Sequence, residues 1–162
     1  MTVLVTAASR HGSTMEIAEA IGRTLRQRGL DVDVQPAAGM SAVDRYEAVV
    51  LGSAVYMGHW LEAAWQLAES ESRSLRMRPV WLFSSGPVGD PPKPDEQPVD
   101  VGAVVAATGA RGHRLFNGNL DPHRLGFAER AMIRAVRAQT GDFRDWAEIA
   151  AWAEHIAGEL RT

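Results

Sequence analysis

Val3-Leu4-Val5-Thr6-Ala7-Ala8-Ser9-Arg10-His11-Gly12-Ser13-Thr14, running on into Met15-Glu16-Ile17-Ala18, is the stretch that decides the fold. An apolar run stops, a hydroxyl-rich loop with one glycine follows, and a helical pattern begins at once. Ser13 and Glu16 have the spacing of a capping box, which predicts a helix start at that point. A helix N-terminus presents unpaired N–H groups and a partial positive charge, and both suit a phosphate. The hydroxyls of Thr6, Ser9, Ser13 and Thr14 surround that point, with Gly12 among them.

Two familiar phosphate loops are excluded. A Walker loop places lysine after its last glycine, whereas Gly12 is followed by Ser13. The dinucleotide fingerprint G-x-G-x-x-G is absent, because Ala7, Ala8 and Ser9 stand where its glycines belong. A lysine-free loop of hydroxyls and amides fits a monophosphate ester that carries no metal. Flavin mononucleotide (FMN) is the common cofactor of that kind. A strand-to-helix turn rich in Ser and Thr is also ordinary in α/β proteins, so the loop alone leaves that alternative open.

Outward from this loop, strands and helices alternate. Strands are predicted at Val3–Ala7, Val32–Pro36, Ala48–Ser53, Val80–Ser84 and His113–Gly118, and the first, third and fourth are near-continuous apolar runs. Helices are predicted at Thr14–Arg28, Ser41–Tyr46, His59–Ser70, Val99–Ala107 and Asp145–Leu160, the last capped by Asp142 or Thr140. Helical crossovers between strands imply a doubly wound five-stranded parallel sheet in the order 2-1-3-4-5, with helices on both faces. Its switch point lies between strands one and three, where the Ser9–Thr14 and Ala54–His59 loops meet. A receiver domain of the same topology needs an acidic cluster after strand one and an Asp ending strand three. Ala7-Ala8 and Ser53-Ala54 occupy those places.

The 162 residues suit one domain, taken as 1–162, and 46% apolar composition is that of a globular chain. Without cysteine there is no disulfide, thiol nucleophile or thiolate-held cluster. No apolar run approaches the roughly 20 residues of a membrane span, and no signal peptide precedes the first strand, so a cytoplasmic location is expected. Five histidines show no metal-ligand spacing, and neither a Ser-His-Asp order nor Gly-x-Ser-x-Gly is present. Redox chemistry would therefore belong to a bound cofactor, and catalytic side chains are not identified. With 17 basic against 20 acidic residues the chain is not basic, which argues against nucleic acid as partner.

The pattern S-x-x-G-x-T from Ser9 to Thr14 resembles the phosphate loop of flavodoxins. Val49-Val50-Leu51-Gly52-Ser53-Ala54-Val55-Tyr56-Met57-Gly58-His59 and Trp81-Leu82-Phe83-Ser84-Ser85-Gly86-Pro87 resemble the two segments flanking the flavin ring. The resemblance implies FMN held at Ser9, Arg10, His11, Gly12, Ser13 and Thr14, and at Ala54, Val55, Tyr56, Met57, Gly58 and His59. Ser84, Ser85, Gly86 and Pro87 complete the implied set. The Gly52–His59 region, Asp142-Phe143-Arg144-Asp145-Trp146 and the segment after strand five are similar to flavodoxin-like, quinone-linked protoporphyrinogen IX dehydrogenases. That likeness implies a quinone acceptor and a small organic donor, a porphyrinogen. The alternatives are an electron carrier between proteins and a flavodoxin-like module without FMN. Carriers of this family are usually strongly acidic, and a net charge of −3 departs from that pattern.

Tyr56, Met57 and Trp60 are candidates to pack on the ring, while Ser84–Asp90 offers no aromatic, which leaves one flavin face open. Trp60 and Trp65 read more simply as the core face of a helix, and His59 equally as a residue near the flavin or as the cap of that helix. The proline-rich Gly89–Pro98 reads as an extended surface loop. After strand five, residues 121–141 form a helical insertion with Leu125, Ala128, Met132, Ile133, Ala135 and Val136 on one face. Arg130, Arg134 and Arg137 fall opposite. A helix packed on the domain is favoured over peripheral membrane contact through 124–138, since its apolar side is alanine-rich.

Overall fold

A computed structural model describes residues 1–10, 12–56, 58–86, 101–116, 119–120, 141–142 and 144–161. Strand β1 (Thr2–Ala8) leads into α1 (Ser13–Gln27), then β2 (Asp31–Pro36) and a single 3-10 turn at Val43–Arg45. Next come β3 (Ala48–Tyr56), the two-residue β4 (His59–Trp60), α2 (Glu62–Ser70), α3 (Ser72–Arg76) and β5 (Val80–Ser85). The chain then forms α4 (Val101–Thr108), β6 (Gly112–Phe116), the short pair β7 (Asn119–Leu120) and β8 (Gly141–Asp142), and α5 (Trp146–Leu160). The main sheet runs β2-β1-β3-β5-β6, all parallel, with β4 appended antiparallel to β3. This is the doubly wound order expected from the alternation of elements, with one short strand added.

Apolar runs in the central strands are explained by two covered faces. Along β1, Val3, Val5 and Ala7 pack with Ile17, Ile21 and Leu25 of α1 and Ile149, Ala153 and Ile156 of α5. Leu4 and Ala8 point the other way, into a second core with Leu67 of α2, Leu75 of α3 and Val104 of α4. Strands β3 and β5 alternate alike, Val50 and Phe83 to the first core, Leu51 and Leu82 to the second. Phe83, Phe116 and Trp152 form an aromatic cluster with ring centroids 5.5–6.2 Å apart. A Cβ on Gly52 would overlap the Phe83 ring, so this point of β3 admits no side chain.

Three local expectations are corrected. The helix expected from His59 begins only at Glu62, because Gly58, at φ 81°, turns the chain back and pairs Tyr56 with His59 and Val55 with Trp60. His59 therefore lies on a strand rather than capping a helix. Trp65, expected in the core, is 38% exposed, whereas Trp60 is buried through β4. The last helix, expected to be capped at Asp142 or Thr140, has its N-cap at Asp145. Asp145 accepts a hydrogen bond from the Glu148 backbone N–H at 3.1 Å, the D-x-x-E spacing putting that carboxylate over the first turn.

Candidate functional site

Parallel pairing brings three loops to one edge of the sheet. Ala8 is level with Ser53, and Ala54 with Ser85, so the chain leaves β1, β3 and β5 side by side. Arg10 lies over the Tyr56 ring, its guanidinium carbon 4.3 Å from the centroid, which joins the first two loops directly. Ser9, Arg10, Gly12, Ser13 and Thr14, with Ala54, Val55, Tyr56, Gly58 and His59 and with Ser84, Ser85 and Gly86, all fall on this edge. His11, Met57 and Pro87 lie outside the described residues, as do the Gly89–Pro98 loop and the helix expected within 124–138.

The start of α1 is built differently from the capping box expected. Gly12 is the N-cap residue, left-handed at φ 86°, and no side chain caps it in the usual way. Ser9 Oγ instead accepts from the N–H groups of Gly12 at 3.0 Å and Thr14 at 3.3 Å. Ser13 is already the first helical residue, and the Glu16 carboxylate turns to Arg144 at 3.3 Å. Thr14 is 1% exposed, and its hydroxyl has no hydrogen-bonding partner among the described residues. A buried unpaired hydroxyl carries a desolvation cost of roughly 1–3 kcal/mol that an acceptor removes. A phosphate oxygen at this helix start is such an acceptor, so the residues present fit the group.

Beneath the second and third loops lies a polar chain that sequence patterns did not single out. Trp60 Nε1 donates to Ser84 Oγ at 2.7 Å, and Ser84 Oγ is 2.7 Å from His113 Nε2. Ser53 Oγ accepts from the Leu61 N–H at 2.9 Å and donates to the Ala54 carbonyl at 2.8 Å, tying the end of β3 to the start of α2. The Gly86 N–H donates to the Phe116 carbonyl at 2.9 Å, fixing the exit from β5. Trp60, Ser84 and His113 are far apart in sequence. Only the register of β5 on β6 and the β4 hairpin bring them together.

Burial lowers the His113 pKa to about 4, so the ring is neutral in the folded protein near neutral pH. An unfolded histidine titrates near 6.5, and between about pH 4 and 6.5 the unfolded chain binds the extra proton. Stability from this group is complete above that window and is lost as pH falls through it. Urea unfolding across the window should show His113→Gln with a shallower acid loss than the wild type. An unchanged acid slope would remove His113 from the account.

A doubly wound sheet with a phosphate-suited helix start at its switch point is the architecture of a class, the α/β proteins that bind nucleotides at the carboxyl edge of their strands. Residues 4–146 match the Flavodoxin domain family, and the chain belongs to that family. FMN is the cofactor this membership brings. Protoporphyrinogen IX dehydrogenase [quinone] of Escherichia coli K12 is 22% identical, over 97% of this chain and 95% of the relative. Among solved structures, a flavodoxin from the domain Archaea aligns with a TM-score of 0.67 at 18% identity, covering 100% of both chains. A flavodoxin of Streptococcus pneumoniae TIGR4 aligns at 0.65 with 20% identity, over 99% of this chain and 98% of that one. At these identities the structures bear out the fold. Among the described residues no helix is long and apolar enough to cross a membrane.

Proposed function

We propose that this chain is an FMN-dependent oxidoreductase that takes electrons from a small organic donor and passes them to a quinone. The observation that carries the reading is the buried Thr14 hydroxyl, unpaired among the described residues, at a helix start where Ser9 gathers two backbone N–H groups. In this reading Ser9, Gly12, Ser13 and Thr14 hold the phosphate. The Ala54–His59 and Ser84–Pro87 segments flank the ring system, with Tyr56 supplying aromatic surface on the β3 side. FMN, when bound, supplies the redox chemistry. The protein orients it and sets its electrostatic surroundings. The dehydrogenase relative supports a quinone as acceptor and a porphyrinogen as donor.

A one-electron carrier between proteins is the second reading, favoured by the flavodoxins among the structural neighbours. The charge balance favours the enzyme, because a net charge of −3 gives little long-range steering toward a protein partner. Stopped-flow reoxidation of the photoreduced protein separates the two. A water-soluble naphthoquinone is expected to react faster than a cytochrome. Preference for the cytochrome would make the protein a carrier. Oxidation of a porphyrinogen in the presence of quinone, followed by porphyrin fluorescence, tests the donor separately.

A further inference from the structure

Glu16 poses an electrostatic problem for an anion site. It lies in the first turn of α1, where its negative charge suits the helix end but opposes a second anion arriving there. Arg144, from the segment just before α5, lies against this turn. Its side chain is 5% exposed, and Nη1 is 3.3 Å from Glu16 Oε2 and donates to the Ser13 carbonyl at 3.3 Å. The guanidinium also stacks on Trp146, 4.6 Å from the ring centroid. The Ser13 carbonyl and the Thr14 N–H belong to one planar peptide unit and point in opposite directions. A cation drawing on that carbonyl therefore aims the Thr14 N–H back toward the Ser9 loop and strengthens it as a donor.

We infer that Arg144 is a positioning residue for the phosphate. It neutralises Glu16 beside the anion and fixes the Ser13–Thr14 peptide with its N–H facing the loop. The inference rests on the reading that the phosphate binds at Ser9–Thr14. Its effect is confined to the charged end of the cofactor, since neither Arg144 nor Glu16 belongs to the segments assigned to the ring.

Titration of this 162-residue chain, freed of flavin, with FMN and with riboflavin isolates the phosphate contribution. Arg144→Gln is expected to weaken FMN on the order of tenfold, because the guanidinium no longer offsets the Glu16 charge in the first turn of α1, with riboflavin unchanged. Adding Glu16→Gln to Arg144→Gln should restore most of the loss. A double variant as weak as the single one would show that Arg144 does not act by neutralising Glu16 and would overturn the inference. Glu16→Gln alone changes a partly exposed residue and keeps the probe usable if Arg144→Gln does not fold. It should hold or tighten FMN and leave riboflavin alone. Equal weakening of both ligands would overturn the inference. Should the wild type bind FMN no more tightly than riboflavin, the phosphate reading itself fails. An FMN advantage over riboflavin that is undiminished in Arg144→Gln removes only the role of Arg144.

Discussion

Thr14→Ala is expected to weaken FMN binding by about 1.5–3 kcal/mol, the range for a hydrogen bond to a charged group, or roughly 10- to 150-fold. The hydroxyl lost is buried and, among the described residues, unpaired in the protein alone, so its removal costs the free protein little. Nearly all the effect therefore appears in the bound state. Thr14→Ser should retain most of the affinity, because it keeps the oxygen and loses only a methyl. Ser9→Ala is expected to weaken FMN by a similar amount for a different reason. Its Oγ organises the Gly12 and Thr14 amides, so the variant loses order in the loop as well as a donor. Calorimetric titration with FMN, with circular dichroism as a folding control, measures both. Unchanged affinity in both variants would move the phosphate elsewhere.

The largest loss of stability is expected at Phe83. Its ring is fully buried, packs on Phe116 and Trp152, and fills the space over Gly52 at the centre of the sheet. Phe83→Ala removes these contacts from strands that are held on both sides and cannot close the gap. The expected cost is about 3–5 kcal/mol. For a chain of this size that lowers the melting temperature by roughly 6–20 °C. Thermal unfolding followed by circular dichroism reads the shift. A loss under about 1 kcal/mol would mean that the cluster is not the centre of the core.

The fold was legible because its signals are local. Val3-Leu4-Val5 and Val49-Val50-Leu51 are runs that only a doubly covered strand needs, and the helical spacing of Ile17, Ile21 and Leu25 gives α1 its buried side. The edge where the loops meet followed from strand order alone. What sequence did not disclose is set by contacts across the chain. Glu16 matched a capping box by spacing, but Arg144, distant in sequence, takes its carboxylate, and Ser9 takes over at the loop. His59 continued a helical pattern, yet the left-handed Gly58 before it turns the chain back and pairs His59 with Tyr56 as a strand. The Trp60–Ser84–His113 chain has no spacing of its own, since it exists only after three elements have paired. The Asp145 cap is legible in D-x-x-E, one turn closer to the helix than Asp142.

The missing side chain at position 52 has an evolutionary consequence. Gly52 and Phe83 are neighbours across β3 and β5, and the ring of one occupies the volume a methyl on the other would need. The glycine cannot drift alone. A larger residue at 52 must be accompanied or preceded by a smaller one at 83, and a lineage that has lost the aromatic ring gains freedom at the glycine. Among descendants of this sequence the two sites should therefore be inherited as a pair, with their combined volume held nearly constant while each identity changes.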